Sequence, residues 1–170
     1  MVQSVELLLD PDADALIRNQ WAQLAAAGLP SQALHTGDSN APHVTLAARA
    51  SIDPALEPAL RRALAVLPLP VGLGARACFG HRRLVLVRLV VASAALLRVQ
   101  AEIHSALGAD PAGTSHFAPG RWTPHVTLAR RLSPEQLALA VSLLDGEHDP
   151  ATAAAGRRWD SDARRVWSLT

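Results

Sequence analysis

Val5, Leu7 and Leu9 alternate with less apolar neighbours, the period-two pattern of a strand with one covered face, and the pattern stops at Asp10-Pro11. From there to Ala27 the spacing changes. Leu16, Ile17, Trp21 and Leu24 recur on one helical face, Asp10 is placed to cap, Pro11 suits the first turn, and Gly28-Leu29-Pro30 ends the helix. Gln32 to Thr36 predicts a short strand, and Gly37 to Pro42 is rich in turn formers. A helix is expected over Ala55 to Leu67, closed by Pro68 and Pro70. Val71 to Phe79 and Arg83 to Val91 predict two strands joined near Gly80-His81. Ser93 opens a helix running to about Leu107, with Leu96, Leu97, Ile103 and Leu107 on its apolar side. Gly108 to Pro124 is the longest loop. Ser133-Pro134-Glu135-Gln136 has the form of a helix start leading into Leu137 to Leu144, and Ala151 to Leu169 can supply two last strands around Asp160 to Asp162. Strands interleaved with helices in this order predict an α+β fold in which a duplicated unit packs as two lobes of one domain, spanning residues 1–170.

The duplication is visible in one phrase. PHVTLAAR at 42–49 returns as PHVTLARR at 124–131. Each copy begins with proline, which favours extended backbone before it, and continues as a strand. Strict alternation puts His43, Thr45, Ala47 and Arg49 on one face and Val44, Leu46 and Ala48 on the other. The second copy sets His125, Thr127, Ala129 and Arg131 against Val126, Leu128 and Arg130. A sheet needs the valines and leucines for packing. It does not need the same histidine, threonine and arginine on the opposite face twice, so those residues are the candidate chemistry.

Composition narrows what that chemistry can serve. The chain has 170 residues, enough to bury a core without metal or disulfide staples. No apolar run approaches the roughly 18 to 20 residues of a membrane span, and no secretory signal pattern stands at the N-terminus. The single cysteine, Cys78, is expected to be an inert core thiol, and a lone cysteine fits a reducing cytoplasm. All sixteen basic residues are arginine, yet the net charge is only +1. That balance argues against an extended nucleic-acid footprint, whose affinity comes from neutralising many phosphates, and leaves room for a pocket holding one or two. A monomer is expected. No HExxH or clustered Cys and His spacing completes a metal site around His43 and His125, and no cofactor is expected.

The paired tetrapeptides His43-Val44-Thr45-Leu46 and His125-Val126-Thr127-Leu128, the proline before each, and the lead-in Arg121-Trp122-Thr123-Pro124 resemble the signature of the 2H phosphoesterase superfamily, which includes the bacterial 2'-5' RNA ligase-like proteins. The resemblance implies a bilobal α+β fold: two antiparallel sheets with flanking helices, arranged around a pseudo-twofold axis, with both motif strands lining the cleft between them. It also implies that His43 and His125 act as general acid and base and that Thr45 and Thr127 donate to the phosphate oxygens. In-line displacement at phosphorus sets attacking and leaving oxygens on opposite sides, so histidines brought from two lobes can flank it. Near-symmetry leaves open which histidine is the base. Arg49 and Arg131 share the predicted cleft face and are candidates for phosphate, while Arg130 faces away by parity. Trp122 and Phe117 are candidates for stacking on a base, with a core role open for Trp122. The implied substrate is a 2',3'-cyclic phosphate on a nucleotide or an RNA terminus, opened to a phosphomonoester that in related enzymes is commonly the 2'-phosphate. A nucleotide-binding module without turnover and a 2'-5' RNA ligase are the competing readings.

Overall fold

The structure, a computed structural model, describes residues 2–37, 39–109, 115–146 and 148–170. The first strand, β1 (Gln3–Leu9), buries Val5, Leu7 and Leu9 as its alternation requires. Asp10 then caps α1 (Pro11–Ala26) by accepting from the amides of Asp12 and Ala13, and it also takes the amide of Thr152. Helix α1 covers the core with Ile17, Trp21 and Leu24, each almost wholly buried. The first motif forms β2 (His43–Arg49) and the second forms β5 (His125–Leu132). Between them come α2 (Glu57–Ala63), β3 (Leu69–Phe79), β4 (Leu84–Val90) and α3 (Ala94–Leu107), the last capped by Ser93. Helix α4 (Pro134–Leu143) starts in a full capping box between Ser133 and Gln136, and β6 (Asp149–Asp160) and β7 (Arg165–Ser168) complete the chain.

The fold is α+β with every strand pair antiparallel, in the order β1-β2-β5-β4-β3-β6-β7, and β1 also pairs with β6. The 12-residue β6 explains the closure. Its first half pairs with β3 and its second half with β1, so two arrays, β5-β4-β3-β6 and β2-β1-β6-β7, share one strand. They meet again where Val44 pairs with Val126, and the two motifs lie side by side at that junction. Gly156 sits on the shared strand where a Cβ would come within 2.5 Å of a methyl carbon of the fully buried Leu64, so glycine lets the segment after α2 pack close.

Four local expectations change. Gln32–Leu34 is a 3-10 turn rather than a strand. Ser31 accepts from the amide of Ala33 and Asn40 donates to the carbonyls of Gln32 and His35, so side chains hold the segment curled. The helix expected over 55–67 is a 3-10 turn, Pro54–Leu56, followed by the shorter α2, and β3 begins at Leu69, taking in Pro70. The long loop holds a 3-10 turn at Ser115–Phe117, while its residues 110–114 lie outside the described ones. Cys78 is exposed rather than core, on the outward side of β3. No described helix is long and apolar enough to cross a membrane.

Candidate functional site

Val44 pairs with Val126 in antiparallel register, so along the two motif strands His43 lies toward Thr127 and Thr45 toward His125. His43 and His125 are then diagonal neighbours, with Cα atoms about 7–8 Å apart, a gap that a phosphate can occupy. All four side chains are half-buried, whereas Val44 and Val126 beneath them are 2% and 1% exposed. His43, Thr45 and Thr127 line a cleft of about 1030 Å³, and His125 stands at its edge, outside the lining residues, as the strand neighbour of Thr127.

Both imidazoles are held in the same way. Nδ1 of His43 lies 2.8 Å from the carbonyl of Ala41, and Nδ1 of His125 lies 2.7 Å from that of Thr123. A carbonyl only accepts, so each Nδ1 carries the proton and donates it. In the neutral ring, Nε2 is then the basic atom. The threonine backbones are braced from the opposite lobes. Trp122 donates its indole N–H to the carbonyl of Thr45 at 3.0 Å, and Trp21 donates to that of Thr127 at 3.0 Å.

Beyond each threonine the strand alternation is broken. In β2, Glu6 pairs with Thr45 but Val5 pairs with Ala47, so Leu46 is an extra residue; in β5, Val87 pairs with Thr127 but Leu86 pairs with Ala129, so Leu128 is extra. These two β-bulges stand at the same position of the repeat and invert the faces that follow. Arg49, expected in the cleft, is instead 6% exposed, with its guanidinium on the carbonyls of Ala48 and Gly108 and near His104. Arg131, also expected there, is skipped by the ladder between Arg130 and Leu132, has a φ of 63° and does not line the cleft. Arg130, expected to face away, lines it. Trp122, a stacking candidate, is 9% exposed and committed to the Thr45 carbonyl, which leaves it no free face for a base. Phe117 does line the cleft, its carbonyl held by Gln100 at 2.5 Å.

The two histidines have different neighbours. Glu6, 3% exposed, sits beside Thr45 in the adjacent strand, accepts from Ser4 at 2.6 Å and Arg157 at 2.8 Å, and presents Oε1 to His43 Nε2 at 3.7 Å. The position equivalent to Glu6 beside Thr127 is Val87. His125 instead meets the ring of Phe79 edge-on, with centroids 4.9 Å apart. Burial lowers the pKa of His125 below the usual 6.5, outweighing its hydrogen bond to Thr123, and the nearby Arg130, His43 and His116 lower it further. Sequence reasoning missed Glu6, Arg130, Arg157 and the bracing role of Trp21. For Glu6 a signal existed, because Ser4 and Glu6 form the polar phase of the first strand.

A family model described as the 2'-5' RNA ligase superfamily matches residues 10–159. No curated protein matches the chain. Among solved structures, apo LigT of Escherichia coli is similar with a TM-score of 0.56 and 16% identity, covering 99% of this chain and 94% of that one. Usb1 of Kluyveromyces marxianus is similar with a TM-score of 0.53 and 14% identity, over 99% and 97% of the two chains. The same Escherichia coli LigT complexed with 3'-AMP gives a TM-score of 0.52 and 17% identity, over 99% and 96%. At these identities the likeness is one of fold.

Proposed function

Because this chain belongs to the 2'-5' RNA ligase superfamily, we propose that it is a phosphodiesterase that opens 2',3'-cyclic phosphates of nucleotides or RNA ends to a phosphomonoester without a metal. The observation that supports this reading best is the crossing at Val44 and Val126, which makes two identically held histidines diagonal neighbours on adjoining strands. A structural neighbour that holds 3'-AMP makes a nucleotide a reasonable ligand for the same cleft.

In this mechanism water attacks phosphorus opposite the departing ribose oxygen. His125, whose buried ring favours the neutral form, takes the proton of the water at Nε2. His43 protonates the departing oxygen from Nε2. Its place beside the Glu6 carboxylate suits an N–H and not a bare lone pair, which breaks the near-symmetry in favour of His43 as the acid. The P–O bond to that oxygen breaks as the P–O bond to water forms, leaving one phosphomonoester and one hydroxyl. Thr45 and Thr127 donate to the non-bridging oxygens, and Arg130 supplies the positive charge first assigned to Arg49 and Arg131.

Release of phosphomonoester from 2',3'-cyclic nucleotides, followed with chelator present, tests this reading. We expect turnover by the wild type and a loss of about 10²- to 10⁴-fold in His43→Ala and in His125→Ala. Tight nucleotide binding with no wild-type turnover would place the chain among binding modules instead.

A further inference from the structure

The cleft extends past the histidines, and its far end carries groups that reaction at one phosphate does not use. Two rows of paired residues cross its floor. Thr45, Glu6 and Arg157 make the first, and Ala48, Ser4 and Trp159 the second. Strand spacing puts Trp159 about 12 Å from Thr45, two strands across and two residues along. At about 1030 Å³ the cleft lies at the upper end of the roughly 300–1,000 Å³ typical of a small-ligand pocket.

Trp159 differs from the bracing tryptophans. It is half-buried on the cleft floor, and among the described residues its indole N–H has no partner, whereas Trp21 and Trp122 are 3% and 9% exposed and bonded to carbonyls. Past it, the turn joining β6 to β7 puts Ser161 and Arg164 on the cleft wall. The other arginines of this strand pair are engaged. Arg157 holds Glu6, Arg158 holds Glu57 and lies 4.0 Å from the Trp167 ring, and Arg165 lies 5.2 Å from the same ring. Arg164 is exposed, has a backbone φ of 49°, and makes no ion pair among the described residues. An open aromatic face followed by a cation is the arrangement that receives a base and a phosphate.

We propose that Trp159 and Arg164 form a second nucleotide subsite, in which Trp159 stacks on a base and Arg164 pairs with the phosphodiester preceding a cyclic-phosphate end. The subsite takes its register from the reaction centre proposed at His43 and His125, and it makes a short oligoribonucleotide end the preferred ligand over a mononucleotide.

Titration calorimetry with a ribodinucleotide 3'-phosphate and a ribomononucleotide 3'-phosphate, at two salt concentrations, reads the subsite without turnover. The wild type is expected to bind the dinucleotide at least about tenfold more tightly. That advantage falls to near one in Trp159→Ala, is largely kept in Trp159→Phe, and in Arg164→Gln drops several-fold with a shallower salt dependence. Equal affinity for the two ligands in the wild type overturns the proposal, and so does an advantage that survives both Trp159→Ala and Arg164→Gln. Arg164→Gln changes only an exposed turn residue, so it remains informative if Trp159→Ala folds poorly. Turnover of cyclic mononucleotides without a dinucleotide advantage sinks the subsite alone. A dinucleotide advantage in binding, with no turnover of either cyclic ligand, sinks the hydrolase reading and leaves the subsite standing. Failure of both ligands to bind overturns the subsite, and turnover of the cyclic ligands then decides the hydrolase reading by itself.

Discussion

Arg130 and Arg131 are adjacent in the chain, yet only Arg130 reaches the cleft. Residue by residue, the period-two pattern places His43, Thr45, His125 and Thr127 together because all four precede the bulges at Leu46 and Leu128. After each bulge the pattern is out by one residue, which takes Arg49 to the buried side and brings Arg130 to the cleft. Nothing in the apolar pattern marks a bulge. It arises because one strand presents an extra residue to its neighbour, and the neighbours β1 and β4 lie elsewhere in sequence. Arg130→Ala is expected to lower kcat/KM for a cyclic phosphate by about 10- to 100-fold, the worth of one hydrogen bond to a charged group. Arg131→Ala should stay within about threefold, since its exposed side chain lies off the cleft. Steady-state kinetics on the two variants compares them directly, and the reverse ranking would mean that strict alternation described the strand after all.

At the level of elements, caps were the most legible feature. Asp10, Ser93 and Ser133 each start the helix their side chains predict. The 3-10 turn at Gln32–Leu34 was hidden because Asn40 and Ser31, which curl it, act through side-chain hydrogen bonds that no periodicity encodes. The tryptophan braces were half legible. Helical spacing sets Trp21 on the buried face of α1, but its bond to Thr127, across 106 positions, follows only from α1 packing beneath β5. These bonds make one helix-side and one loop-side anchor responsible for the position of both motif threonines. Trp21→Phe and Trp122→Phe each remove the indole donor from a threonine carbonyl, at a cost of about 1–3 kcal/mol. A fall in Tm of roughly 2–4 °C per kcal/mol is expected by thermal melting. Because a shifted threonine weakens support of the reacting phosphate, kcat should fall more than KM rises. A change in Tm with kcat untouched would reduce the tryptophans to packing alone.

Across the whole molecule, a near-twofold scaffold carries two histidines in unlike surroundings. The repeat was legible because both motif strands kept their letters. The asymmetry was not, because it is written in β1, β3 and β4, where Glu6 faces one motif and Val87 and Phe79 face the other. This difference has a pH signature. The base must be neutral, and burial holds the pKa of His125 below 6.5, so kcat/KM should persist as pH falls through 6.5 and collapse only at lower pH. Folding follows the same sign. Between the lowered folded value and 6.5 the unfolded chain binds the proton first, so the contribution of His125 to stability is intact above 6.5 and is lost as pH falls through that window. Phe79→Ala opens the ring of His125 to water, which relieves the burial that disfavours its charged form. The acid limb of the kcat/KM profile should therefore move up toward 6.5, so that the variant loses proportionally more activity at pH 6 than at pH 8. A profile measured on both proteins decides the assignment. If the acid limb does not move while a thermal melt shows the variant folded, His125 is not the group whose neutral form the reaction requires, and the roles of the two histidines are reversed.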